Sequence, residues 1–496
     1  MNNYRSFIQN NLVVLSGQLL FYAQGVILMP IIIKTIGVQV YGGYGVLISI
    51  VGFVLGISSL GVGFRRSRFL PSAQYSTARK ILFYPQFYFH LISLILLSIG
   101  LMVIYPILEK IFFKGEVSFS IWLVVPYFIF YLLYGQTTDY FRYTHRIGCF
   151  NLSTLCNSLS NIVIILILFS ISYQLTINAL FVVQIISAIL VAIPLTIKMI
   201  HEIGLRIILP SIKTLMEDIK LGFPLVMVYV VDFILSYADR FILTAFISIT
   251  AVGYYNAAYA LGSTIILFSK ITAVVLPPLL AKTVDSGDTN EARTMVNYTV
   301  KGYLLLAIPF VVGSAMMSKP ILVILANNEV ANQAFMVTPI VALGILFYGL
   351  NVIISNVLFV KLKTVAIFKI NIIAAIINVS FNLVVCYFIR NILVAAVSTL
   401  LSYLVAFIFI QRFMSIDWPI DYNYKMIIKS LAASVMMAYV LYGISTWLGD
   451  DALRLSYIIG EIIVGIVIYF LSILLLRTFS SEELAYLKKI MVKGDR

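Results

Sequence analysis

The chain has 496 residues, a formal net charge of +14, and 61% apolar against only 11% charged residues, with a mean hydropathy of +1.04. Soluble domains carry about a quarter charged residues, so a soluble globular fold is excluded. Nucleic acid is an equally poor match for the positive charge, which is scattered over short loops rather than gathered in one domain.

An all-α, polytopic membrane protein remains. Its unbroken apolar stretches are mostly about 20 to 28 residues long, enough to cross roughly 30 Å of hydrocarbon as helices. About 14 transmembrane helices are expected, beginning near Asn10, Gly42, Lys80, Ile121, Leu152, Ile177, Gly222, Gly253, Thr299, Ala334, Val365, Ile392, Ile427 and Leu455. The first, with Gln18, Tyr22 and Gly25 on one stripe, is too long for a signal h-region and lacks an A-x-A cleavage site. It should stay in the membrane.

Loop charges set the orientation. With a cytoplasmic N-terminus, Arg65, Arg66, Arg68, Arg79 and Lys80 lie inside, as do Arg142 and Arg146, then Lys198, Arg206, Lys213 and Lys220. Lys361, Lys363, Lys369, Arg412, Lys425 and Lys429 follow, and then the tail with Arg477, Lys488, Lys489, Lys493 and Arg496. Roughly 26 basic residues fall on this side and about 6 on the other, which places both termini in the cytoplasm by the positive-inside rule. Trp122, Trp418 and Trp447 fall near span ends, where indoles anchor at the interface. Cys149, Cys156 and Cys386 form neither a paired framework nor a metal spacing.

The second span opens on VYGGYG (Val40 to Gly45), and the eighth opens on AVGYYN (Ala251 to Asn256). Gly42 and Tyr44 fall on Gly253 and Tyr255. At nearly the same offset residues 78–108 lie without a gap on 292–322, matching Ala78, Arg79, Tyr84 and Pro106 to Ala292, Arg293, Tyr298 and Pro320. Asn157 and Asn161 then fall on Asn378 and Asn382. The chain is thus read as two copies of six spans. An even number of spans sends both copies into the membrane in the same direction, as parallel repeats about an axis along the membrane normal. The expected plan is an N-lobe over 1–198, a cytoplasmic linker over 199–220, a C-lobe over 221–412, spans 13 and 14 over 426–476, and a cytoplasmic tail over 477–496.

Charges inside spans cost about 2.5 to 3.5 kcal/mol on insertion scales, so each is a candidate for function. His90 in span 3 and Glu461 in span 14 are lone ionisable groups; His90 is a candidate coupling group, beside a plainer packing role. In span 7, Tyr229, Asp232, Ser236 and the pair Asp239 and Arg240 recur at helical spacing, which makes a polar stripe that must face protein or water. Span 8 carries Asn256, Tyr259, Ser263 and Lys270, then Pro277 and Pro278. Span 11 carries Asn371, Asn378 and Asn382, whose plainer role is hydrogen bonding between helices. Arg240 and Lys270 suit an anionic substrate, the guanidinium being shaped for phosphate. The alternative is that Asp239 or Asp232 neutralises Arg240 while Lys270 snorkels to the inner interface. Asn256, Tyr259, Ser263 and Asn378 complete the expected substrate site.

Gly222 and Pro224 at the start of span 7, the Asp239–Arg240 pair, VGYYNAAYAL opening span 8 and YGGYGVL opening span 2 together resemble the polysaccharide-repeat (O-antigen) flippases. These belong to the multidrug/oligosaccharidyl-lipid/polysaccharide exporter superfamily, with the lipid II flippases and multidrug antiporters as relatives. The resemblance implies movement of an undecaprenyl-pyrophosphate-linked oligosaccharide from the cytoplasmic to the periplasmic leaflet of the bacterial inner membrane. Alternating access between the lobes would be driven by an H+ or Na+ gradient, with other polysaccharide-assembly proteins as partners. In the lipid II branch a groove at spans 13 and 14 is thought to take the lipid tail; span 1 here has none of that branch's arginine, which favours an O-unit carrier.

The chain has no G-x-x-x-x-G-K-[ST] phosphate loop, no H-E-x-x-H and no Cys/His cluster, so neither ATP hydrolysis nor a metal or other cofactor is expected. A cation-coupled drug antiporter would call for carboxylates in spans 1 to 6, where Asp139 lies only at a boundary. A membrane polymerase or ligase would call for a large outer loop, and a channel would not need the repeat.

Overall fold

The structure is a computed structural model that describes residues 2–73, 75–361, 363–415, 418–449 and 453–478. The side chains of Gln18 and Tyr22, and the basic tail residues Lys488, Lys489, Lys493 and Arg496, lie outside the described residues. Among the described residues all regular structure is helical.

The first half holds α1 (Asn2–Ile57), the short α2 (Gly63–Phe69), α3 (Ser76–Leu108), α4 (Val124–Tyr143), α5 (Ile147–Ser170), α6 (Ile177–Ile203) and α7 (Ile212–Phe246). Then follow α8 (Ile249–Gly262), α9 (Ile266–Asp285), α10 (Thr289–Leu325), the short α11 (Asn328–Ala334), α12 (Val337–Val360), α13 (Thr364–Ile389), α14 (Leu393–Ser415), α15 (Tyr424–Leu448) and α16 (Leu455–Leu475).

Twelve helices are long and apolar enough to cross a membrane. Two interruptions bring this to the expected number of about 14. Helix α1 has 56 residues, far more than one crossing needs, and bends at Gly37, whose φ of 83° a side chain would disfavour. Its two arms are the first two spans. The eighth span is α8 and α9, joined by a 3-10 turn at Ser263–Ile265. The connection between α6 and α7 is irregular only over 204–211, and Ser211 caps α7 by accepting a hydrogen bond from the Thr214 amide at 3.1 Å.

The helices form two compact units, Met1–Asn256 with Asn371–Ser398, and Ala257–Ile370 with Thr399–Arg496. In the first, α1 packs on α5 and α7, and α4 on α6. Phe83, Tyr84, Tyr140, Phe141 and Met199 form one buried cluster. In the second, α12 packs on α9 and α10, and α15 on α10 and α16, around Met317, Met437, Leu441 and Tyr469. Trp122 and Trp447 are exposed, as interfacial indoles are, but Trp418 is buried. The Lys361 ammonium lies 4.5 Å from its ring centroid, so this indole packs under a cation instead of anchoring at the interface. The three cysteines are free thiols.

Candidate functional site

In the first unit, Tyr229, Asp232 and Ser236 of α7 line one cavity of about 300 Å³ with Ser49 and Gly52 of α1 and Tyr127 of α4. The three- and four-residue steps along α7 put them on one face. Asp232 is exposed although it sits in the middle of a span. Hydrocarbon would penalise a carboxylate there, so this face looks into protein or water. Aromatic rings build the walls. The Tyr229 hydroxyl donates to the Gly52 carbonyl at 2.8 Å. Phe233 stacks on Tyr237 at 4.9 Å, and Tyr127 on Tyr131 at 4.3 Å.

Arg240 is one turn beyond Ser236, and its Nη1 donates to the Ser236 carbonyl at 2.5 Å. Its guanidinium lies 4.8 Å from the Tyr237 ring centroid, over a wall residue of the cavity. Asp239 is buried, and its Oδ2 accepts a hydrogen bond from the Tyr255 hydroxyl of α8. Adjacent in sequence, the two charges thus engage different neighbours. Asn256 is buried against Gly45, and its Oδ1 has no hydrogen-bond partner among the described residues. Asn378 is buried, and its amide donates to Ser398 Oγ of α14 at 3.3 Å, a bond between helices.

His90 is buried between Ser58 Oγ at 2.7 Å from Nε2 and the Gln136 amide nitrogen at 2.9 Å from Nδ1. Gln136 in turn accepts a hydrogen bond from Arg66, which is itself only 3% exposed.

Tyr259, Ser263 and Lys270 belong to the second unit. Ser263 Oγ donates to the Ala260 carbonyl at 3.3 Å where the 3-10 turn begins. Lys270 is half-buried and has no ion-pair or hydrogen-bond partner among the described residues. The main feature of this unit is an apolar groove of about 370 Å³ walled by Phe268 of α9, Phe310 of α10, Met437 and Leu441 of α15, and Ile466 and Phe470 of α16. The Tyr469 hydroxyl anchors α16 to α10 through the Leu305 carbonyl at 2.6 Å.

Sequence reasoning missed Tyr127, Tyr237, Gln136 and Arg66. The repeated tyrosines of span 4, YFIFYLLYGQTTDY, were a usable signal for the first. Arg66 gave none, because it sits in an arginine-rich stretch that reads as loop charge.

A probable low-salt glycan biosynthesis flippase, Agl15, of Haloferax volcanii is 25% identical over 234 residues, which are 47% of this chain. The match spans about half the length of that relative, 49%. A structure of the lipid II flippase MurJ in an inward closed conformation superposes with a TM-score of 0.74, at 18% identity, over 94% of this chain and 98% of that one. An inward-facing multidrug resistance MATE family transporter of the MOP superfamily superposes with a TM-score of 0.64, at 12% identity, over 82% of this chain and 98% of that one. At these identities the two structures establish a shared fold. Residues 76–468 match the family described as Lipid II flippase MurJ, and this multi-pass membrane protein therefore belongs to that family, whose members are transporters rather than enzymes.

Proposed function

We propose that this protein is a flippase that carries an oligosaccharide linked through pyrophosphate to a polyprenyl lipid, an O-antigen or related repeat unit on undecaprenol, from the cytoplasmic to the periplasmic leaflet. The observation that carries this reading is the apolar groove walled by α15 and α16. Those two helices lie outside the internal repeat, and an apolar groove suits a prenyl chain. The tyrosine-lined cavity of the first unit, with Asp232 and Ser236, offers hydrogen-bonding groups for sugar hydroxyls, and Arg240 offers a fork for pyrophosphate.

The repeated lobes, 1–198 and 221–412, supply alternating access in the bacterial inner membrane, with both termini cytoplasmic, an ion gradient as the drive and polysaccharide-assembly proteins as partners. A second reading, a cation-coupled antiporter, draws on the exposed carboxylate of Asp232, which would suit an organic cation.

Purified protein in vesicles holding fluorescent undecaprenyl-pyrophosphate oligosaccharide separates the two. The flippase reading expects the outer pool to exchange with the inner one, and it expects Gly313→Phe, which fills the groove, to stop this exchange. Export of organic cations without any exchange of the lipid would instead establish the antiporter.

A further inference from the structure

We propose that His90 is a proton-operated latch: a proton taken up at its Nδ1 releases α2 from α3 and α4, which makes H+ the coupling ion of the transport. The second clause rests on the flippase reading above; the latch itself does not.

The argument comes from the direction of each hydrogen bond. Arg66 has donors only, so the Gln136 atom that its Nη1 reaches must be the amide oxygen. That leaves the Gln136 nitrogen facing His90 Nδ1 at 2.9 Å, where it must donate. Nδ1 therefore carries a lone pair, and the ring proton sits on Nε2, donating to Ser58 Oγ at 2.7 Å. Ser58 Oγ in turn donates a hydrogen bond to the Leu55 carbonyl at 2.7 Å. These four bonds run in a single direction from α2 through α4 and α3 to the last turn of α1, while Arg66 Nε is buried with no hydrogen-bond partner among the described residues. Ser58 is 0%, Arg66 3%, and His90 and Gln136 each 8% exposed, so the chain is sealed.

A second ring proton cannot be placed in this chain. On Nδ1 it would face the Gln136 amide hydrogens, donor against donor. Turning the amide over satisfies His90 but points the same hydrogens at Arg66. One bond is lost either way, and an imidazolium is left near a guanidinium with no carboxylate between them. The surrounding acids are already engaged. Asp139 of α4 pairs with Arg142 at 3.0 Å and is 4.0 Å from Arg66. Glu217 and Asp218 of α7 are both held by Arg65. Glu202 of α6 is held by Arg146 and by the Tyr140 hydroxyl. Tyr143, at the end of α4, accepts a hydrogen bond from Arg142 at 2.7 Å. Gln136 thus makes the hydrogen bond that ties Arg66 to α4, beside the longer Asp139 contact at 4.0 Å, while the Phe83 ring of α3 lies below it at 5.5 Å.

The test measures how α2 sits on α4 without using substrate. In full-length protein with Cys149, Cys156 and Cys386 changed to serine, spin labels replace the exposed Arg68 of α2 and His145 just beyond α4. Their distance distribution is read by electron–electron resonance in lipid nanodiscs at pH 8 and pH 4. The expected result is one narrow distribution at pH 8 and a broader, longer one at pH 4. His90→Phe cannot take up the proton and leaves the Gln136–Arg66 bond in place, so it should give the narrow form at both values. Gln136→Glu should give the narrow form at both, because a carboxylate accepts from Arg66 and imidazolium together. A pH response that survives in His90→Phe, no response in the parent, or a parent-like response in Gln136→Glu overturns the latch. If His90→Phe does not fold, the Gln136→Glu arm still decides. A latch that titrates in a protein that moves no lipid-linked oligosaccharide removes the flippase reading alone. An inert latch in an active flippase removes this proposal alone.

Discussion

Gly42 of α1 and Gly253 of α8, which fall on each other in the internal repeat, lie backbone to backbone. A Cβ on Gly42 would stand 2.1 Å from the Ile249 carbonyl oxygen and 2.7 Å from the Gly253 nitrogen, and one on Gly253 would stand 2.1 Å from the Val38 carbonyl oxygen. The motifs that reveal the duplication are therefore also a contact, and it admits no side chain. Gly42→Ala should cost about 1 to 3 kcal/mol of overpacking. Its thermal midpoint in detergent should fall, while Gly25→Ala, where nothing lies within 4 Å, should hold or rise slightly. Equal midpoints for the two variants would show that the helices part there at no cost.

Much of the architecture was legible in the sequence because hydrocarbon leaves few options: long apolar runs must be helices, and helical spacing alone aligns Tyr229, Asp232 and Ser236. Less legible was what depends on the third dimension. The first two spans are one helix bent at Gly37, a backbone conformation that composition does not announce. Arg65, Arg66 and Arg68 look equivalent in sequence, yet only Arg66 is buried, because α2 turns that one side chain toward Gln136. Asn256 and Lys270 share a stripe on paper, but the 3-10 turn at Ser263–Ile265 interrupts the helix between them, and they belong to different units.

The orientation inferred from loop charge is open to direct labelling. Gly115 follows α3 and Ser76 begins it, both are exposed, and a helix of 33 residues separates them by about 50 Å. In a background without the native cysteines, cysteine at Gly115 should react with an impermeant thiol reagent applied to intact cells. Cysteine at Ser76 or Lys213 should react only after the membrane is opened. The reverse pattern would invert the whole topology and place the Arg66 network on the outer side.

Arg240 is the sharpest test of the proposed binding of a pyrophosphate-linked substrate. In a partly wet cavity of effective dielectric near 20, a unit-charge pair at about 4 Å is worth roughly 4 kcal/mol before desolvation is subtracted. Losing that cation should slow transport severely. The competing role is structural: if Arg240 serves only to balance Asp239, then Arg240→Ala strands a buried carboxylate at a cost of about 3 to 5 kcal/mol, and membrane abundance falls with activity. The observed bonds favour separate duties, since Asp239 accepts from Tyr255 while Arg240 donates to the Ser236 carbonyl and covers the Tyr237 ring. Asp239→Asn combined with Arg240→Gln removes both charges and decides between the two. We expect this double variant to be as abundant as the parent and inactive in the vesicle exchange assay. Arg240→Lys should keep part of the activity, because it retains the charge and loses the bidentate fork. A double variant that transports normally would take Arg240 out of the substrate site.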